Sequence, residues 1–341
     1  MKHKFLFFLI LSLALAPARA KRFKSGPLEL KVDPAKAPEP ADKYALIPKA
    51  DKLTDADAVP LYEKAVEAMA GGRKQEKQIQ EWLALPPEQL PQEQVEATIQ
   101  KNLASLRLLA RAARCKQCNW PKSTPGTAVA ATSGYRNLGF LVRLWMRLEI
   151  VRGQYDSALL AMQTGFGMAR HVGQGPTTIQ ALVGTAIGGL TCREVELFIQ
   201  GKGSPNLYWA LANLPRPLVD VAKAIESEQA NAKGIRNFLL RKQAKKVVDP
   251  AYERMLLIEK RFGNNLNVMQ CVEAIRHYAA THDGRLPEKL SDITDLELPK
   301  DVVTDKPFEY RRTAKGAVVQ SKIPEGGDAA DITRYEVVLK R

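Results

Sequence analysis

Histidine and cysteine are scarce, with four of each in 341 residues. So few cysteines in so long a chain exclude a small disulfide-knit fold. No Ser stands in a Gly-x-Ser-x-Gly elbow and no Gly-rich phosphate loop follows a strand, which removes the marks of two large enzyme classes. Gly184, Gly188 and Gly189 sit inside an apolar stretch and are read as close-packing positions. His277 and His282 are five residues apart, so a helix places them on different faces and not as a metal-holding pair. Aromatic residues make up 7% of the chain, and no stacking set interleaves with the basic runs as a nucleic-acid surface needs. What is present is 45% apolar and 26% charged residues with a net charge of +14. That is a globular composition, and the length predicts about two domains.

The longest apolar run, Phe5 to Ala16, follows a basic start at Lys2 and Lys4 and ends at Pro17 and Ala18-Arg19-Ala20. Its roughly 18 Å of helix falls short of the ~30 Å core of a bilayer. Small residues at the end of a short apolar run predict a signal peptide over residues 1–20, cleaved near Ala20. The expected location is outside the cytoplasm, periplasmic or extracellular.

Residues 21–57 carry Pro27, Pro34, Pro38, Pro40 and Pro48 and read as a Pro-rich extended arm. Helical periodicity begins near Val59 and defines a body over 58–263. In Gln92 to Arg114, Val95, Ile99, Leu103, Leu106, Ala110 and Ala113 recur at spacings of three and four. Further helices are predicted over 134–152, 155–171, 176–200, 215–232, 236–262 and 265–282. The short breaks between them predict antiparallel neighbours.

After Asp283 the pattern changes. Residues 308–313 alternate as a strand, Ala314-Lys315-Gly316 makes a turn, and 317–322 and 335–339 supply two more strands. Leu266, Met269, Val272, Ile275 and Ala279 form one stripe of the preceding helix, predicted to cover that sheet. Residues 264–341 hold 12 Lys/Arg against 13 Asp/Glu, so the basic excess belongs to the chain before them. The expected fold is mainly α, with an antiparallel helical-hairpin body. A C-terminal α+β module over 264–341 packs one helix on a three-stranded antiparallel sheet.

Three resemblances bear on this outline. Gly153-Gln154-Tyr155-Asp156-Ser157-Ala158 resembles the turn and second-helix start of a tetratricopeptide repeat, with Gly ending one helix and Ala letting the next pack closely. The run from Ala279-Ala280-Thr281-His282-Asp283-Gly284 through Pro307-Phe308-Glu309-Tyr310 to a Gly-Gly-Asp loop resembles the C-terminal half of type II secretion pseudopilins. That resemblance stops at residues 236–262, which carry Arg and Lys where pseudopilins have a long apolar helix. Pro60-Leu61-Tyr62-Glu63-Lys64-Ala65, Cys118-Asn119-Trp120, Ala169-Arg170-His171-Val172-Gly173 and Leu207-Tyr208-Trp209-Ala210-Leu211 resemble a set of exported helical proteins of planctomycete bacteria.

Four groups of residues are candidate sites. Cys115-Lys116-Gln117-Cys118 follows a helix, not opening one, so no helix dipole favours a thiolate there. In an oxidising compartment the expectation is a structural pair, with Cys192 and Cys271 either joined or buried as small apolar residues. Glu325, Asp328 and Asp331 stand in a Gly-rich turn whose carboxylates could ligate calcium, or form a solvated acidic turn. No other cofactor is expected. Arg236, Arg241, Lys242, Lys245 and Lys246 form a basic run, expected either as a solvated face or as a contact for an anionic envelope polymer or lipid headgroup. Export argues against a nucleic-acid partner. The function expected is a non-catalytic scaffold or interaction protein of the cell envelope with a protein partner. The alternatives are an accessory of a secretion or pseudopilus apparatus, acting through the C-terminal module, and an envelope enzyme built from unmarked residues.

Overall fold

The computed structural model describes residues 27–121, 125–232, 238–323 and 332–340, with backbone alone at 125–131, 231–232 and 238–248. The expected leader, residues 1–20, lies outside the described residues.

Pro27 and Pro34 bracket a strand where an extended arm was expected. In β1, Leu28–Val32, side chains alternate, with Leu30 and Val32 buried and Glu29 and Lys31 exposed. Period two lets one face of a strand enter a core while the other stays wet. Later in the arm, β2, Thr54–Asp57, pairs in parallel with β3, Cys115–Gln117. The arm is therefore anchored at both ends.

Ten α-helices are found among the described residues, as the mainly α expectation required. The first four are α1, Val59–Glu67, α2, Gly72–Ala84, α3, Gln92–Lys101, and α4, Leu103–Ala112. The sequence periodicity ran unbroken from 92 to 114, but Asn102 divides it. Its buried side chain donates to Thr98 O and accepts the Ala70 backbone N–H, and this bond to another element interrupts the helix at φ −105°. Three long helices follow: α5, Pro125–Val151, α6, Tyr155–Gly173, and α7, Thr178–Phe198. Gly153 turns the chain between α5 and α6 at φ +69°, where a side chain would be strained. Each of the three packs on both others. Gly184 permits the closest approach, since a Cβ there would stand 2.6 Å from Ala169 O and from Gly173 N of α6.

The short α8, Tyr208–Ala212, and α9, Val221–Ala232, lead to α10, Phe238–Thr281. The two helices predicted over 236–262 and 265–282 are this single helix of 44 residues, and the expected boundary at 263 falls inside it. Gly263 and Asn264 carry no break because Phe262 and Leu266 on either side are both buried.

The hairpin expected near the C-terminus is present as β4, Glu309–Arg312, and β5, Ala317–Gln320, followed by β6, Arg334–Leu339. The sheet, however, has four strands in the order β1-β6-β5-β4, with β1 parallel to β6. All five residues of the predicted α10 stripe are buried. That helix touches β5 and β6, but also α7 and α8. One continuous core runs from Leu30 through the helices to Val337. The sheet thus shares its core with the helical body and is closed by a strand from the other end of the chain.

Candidate functional site

Three of the sequence segments singled out above meet at one point. Tyr62 of α1, Trp120 after β3 and His171 of α6 form a cluster with Tyr135 of α5. Burial, and next the charge of Arg170, hold the His171 pKa down at about 4, so the ring is neutral at physiological pH. Its Nδ1 accepts the Tyr62 hydroxyl at 2.9 Å. Its backbone carbonyl accepts Trp120 Nε1 at 2.7 Å and Cys118 Sγ at 3.5 Å. The Tyr62 and Trp120 rings lie parallel with centroids 6.4 Å apart, and Tyr135 meets both edge-on. At the rim, Asp57 accepts backbone N–H groups from Val59 and Asn119 and the Asn119 side chain. Partial burial pushes that carboxyl up, but these donors outweigh it and hold it below the usual range.

The expected disulfides are not formed. Cys115 is fixed by the β2–β3 ladder, with Sγ donating to Arg111 O at 3.6 Å, while Cys118 is drawn to His171 O. Each thiol has its own acceptor, and the pair is held by backbone pairing without a covalent link. Burial raises both thiol pKa values, that of Cys118 to about 12. Both are protonated at neutral pH, the opposite of a redox nucleophile. Cys192 and Cys271 are buried on α7 and α10 as small core residues, the second of the two readings.

A second polar centre ties the arm to α10. Arg276 is fully buried and all its N–H groups are used: Nε donates to Asp33 O, Nη1 to both Glu273 oxygens, and Nη2 to Ser204 O and Oγ. Burial pushes the Glu273 carboxyl up and the Arg276 charge pulls against it. In the next residue, His277, Nδ1 accepts the Ala37 N–H at 2.8 Å and Nε2 lies 2.5 Å from Asp295. His282 instead stacks on Tyr278.

The third centre was not marked by any motif. Arg143 and Arg147 of α5 converge on Glu194 of α7. Arg143 Nε donates to Oε1 at 2.6 Å, while Arg147 donates through Nε to Oε2 at 3.1 Å and through Nη2 to Oε1 at 2.8 Å. Arg147 Nη1 also caps the end of α2 at Leu83 O and Leu85 O. Beside this triad a groove of about 290 Å³ is lined by Arg143, Arg147, Arg193, Glu196, Gln200 and Leu28. Glu196 accepts the Tyr335 hydroxyl of β6 at 2.6 Å, and Gln200 accepts the Lys31 N–H of β1. A signal for this centre exists in the sequence: two arginines four apart in Leu141-Val142-Arg143-Leu144-Trp145-Met146-Arg147-Leu148 put like charges on one face of an apolar helix.

Glu325, Asp328, Asp331 and Arg236 lie outside the described residues, and so do the side chains of Arg241, Lys242, Lys245 and Lys246 on α10. Among the described residues, no group of three or more His, Cys, Asp or Glu is placed to hold a metal, and no helix is long and apolar enough to cross a membrane. Comparison of the chain with known protein families, with curated proteins and with solved structures finds no match.

Proposed function

We propose that the chain is an exported, non-catalytic scaffold of the cell envelope whose helical hairpins present a rigid surface to a protein partner. The supporting observation is the use made of its reactive side chains. His171 is neutral and covered by Tyr62, the thiols of Cys115 and Cys118 are held protonated, and Arg276 has every donor committed. These groups join β3, α1, α6, α10 and the arm to one another, so their chemistry is spent on rigidity. The secretion-accessory reading gains no support, because the sheet that would carry it is closed by β1 and packed into the body.

The reading is tested by expressing the full chain in a Gram-negative host, fractionating it and sequencing the N-terminus by mass spectrometry. The mature protein is then used to capture partners from envelope extract. Release outside the cytoplasm with Lys21 as first residue, and a partner that binds the purified chain saturably, are the expected results. Retention in the cytoplasm with an intact leader would overturn the proposal.

A further inference from the structure

We propose that the groove between α5 and α7 is a binding site for a small oxyanion, a carboxylate or phosphate group seated on Arg143. The inference stands apart from the scaffold reading, because it concerns a groove that takes a small ion and not a surface for a protein partner.

The argument begins with charge. Arg143 and Arg147 share the single carboxylate of Glu194, and the three side chains are no more than 8% exposed. A buried positive charge without a counter-charge is costly, and an anion alongside removes that cost.

Geometry then singles out Arg143. Arg147 spends Nε, Nη1 and Nη2 on Glu194 and the end of α2. Arg143 spends Nε alone: among the described residues, its Nη1 and Nη2 make no hydrogen bond. Neither nitrogen is among the buried atoms lacking a partner, so the small exposed part of this side chain includes both, and Arg143 is one of the residues that line the groove. A guanidinium fixed through Nε at the wall of a groove, with no hydrogen bond to its two terminal nitrogens, keeps the fork that grips two oxygens of one carboxylate or phosphate. Glu194 holds that fork in place and Arg147 holds Glu194, so the site is organised before any ligand arrives.

Size and lining restrict the ligand. At about 290 Å³ the space is at the lower end of the range for small-molecule sites. Leu28 and Leu197 give it an apolar wall and Gln200 a polar one. A small organic acid or phosphate ester with a short apolar portion fits this lining.

Isothermal titration of the full chain at constant ionic strength, once with inorganic phosphate and once with succinate, tests the site. Saturable one-site binding of either ion is expected. Arg143→Gln should weaken it by about tenfold or more, the effect of losing a bidentate charged pair. Arg143→Lys keeps the charge without the fork and should bind more weakly than the wild type. Arg107→Gln, at an exposed position on α4, should bind as the wild type does. If circular dichroism shows Arg143→Gln unfolded, Arg143→Lys carries the reading. No saturable heat with either ion, or unchanged affinity in whichever Arg143 variant is folded, would overturn the proposal.

Discussion

His171 shows what a polar residue costs and contributes inside this protein. Its folded pKa of about 4 lies below the ordinary histidine value of 6.5. Between those two values the unfolded chain binds more protons than the folded one, so stability rises with pH across that window. It is fully present above about pH 6.5 and is lost progressively as pH falls towards 4. The shift corresponds to about 3 kcal/mol in all. Urea unfolding at intervals from pH 7.5 to 4 should show this loss, and His171→Gln should flatten it. Asp57, whose carboxyl is held low by its N–H donors, contributes only below this range and does not confuse the measurement. Burial also pushes the Glu149, Glu259 and Glu273 carboxyls up, with the opposite effect on stability, so the comparison with His171→Gln decides. A variant whose stability falls with pH as steeply as the wild type's would contradict the burial of a neutral imidazole.

At the scale of elements, the packing of α6 on α7 depends on the absence of side chains. Gly184→Ala would set a methyl group against Ala169 O and the Gly173 backbone, neither of which can rotate away. The variant should lose about 1–3 kcal/mol. Gly189 lies on the same helix with nothing within 4 Å of its would-be Cβ. Gly189→Ala should instead gain up to about 1 kcal/mol from helix propensity. Thermal or urea unfolding of the two variants reads both signs together, and equal effects would refute the contact. All three glycines of this stretch looked alike as close-packing positions in the sequence. Only the neighbouring helix distinguishes Gly184, against backbone, and Gly188, against Phe262, from Gly189.

For the whole molecule, the decisive feature is that its two ends meet. β1 pairs with β6 across some 300 residues, Leu30 and Val32 enter the common core, and Asp33 O and the Ala35 and Ala37 N–H groups bind α10 around Arg276 and His277. A fragment of residues 264–341 would expose the edge of β6 and the α10 stripe that faces α7 and α8. It should therefore give collapsed amide dispersion in NMR and a weak, non-cooperative circular dichroism melt. The chain from residue 21 should melt cooperatively. A well-dispersed spectrum from the fragment would show that the sheet and α10 suffice as an independent unit.

Local pattern was enough for what local interactions decide. The spacing of Leu266, Met269, Val272, Ile275 and Ala279 marked the buried stripe of α10, Gly153 marked the α5–α6 turn, and alternation around Ala314-Lys315-Gly316 marked the β4–β5 hairpin. Each depends on residues within a turn or two of one another, where backbone geometry converts sequence spacing directly into a face. The tertiary structure alone decided the rest. Leu28–Val32 is a strand because β6 lies beside it, α3 and α4 are two helices because Asn102 bonds to Ala70, and the thiols stay apart because each finds a separate acceptor. Arg143 and Arg147 are ordinary basic residues along the chain. They form a charged pocket only where α7 brings Glu194 between them, since the energy of a buried charge depends on partners that sequence distance does not reveal.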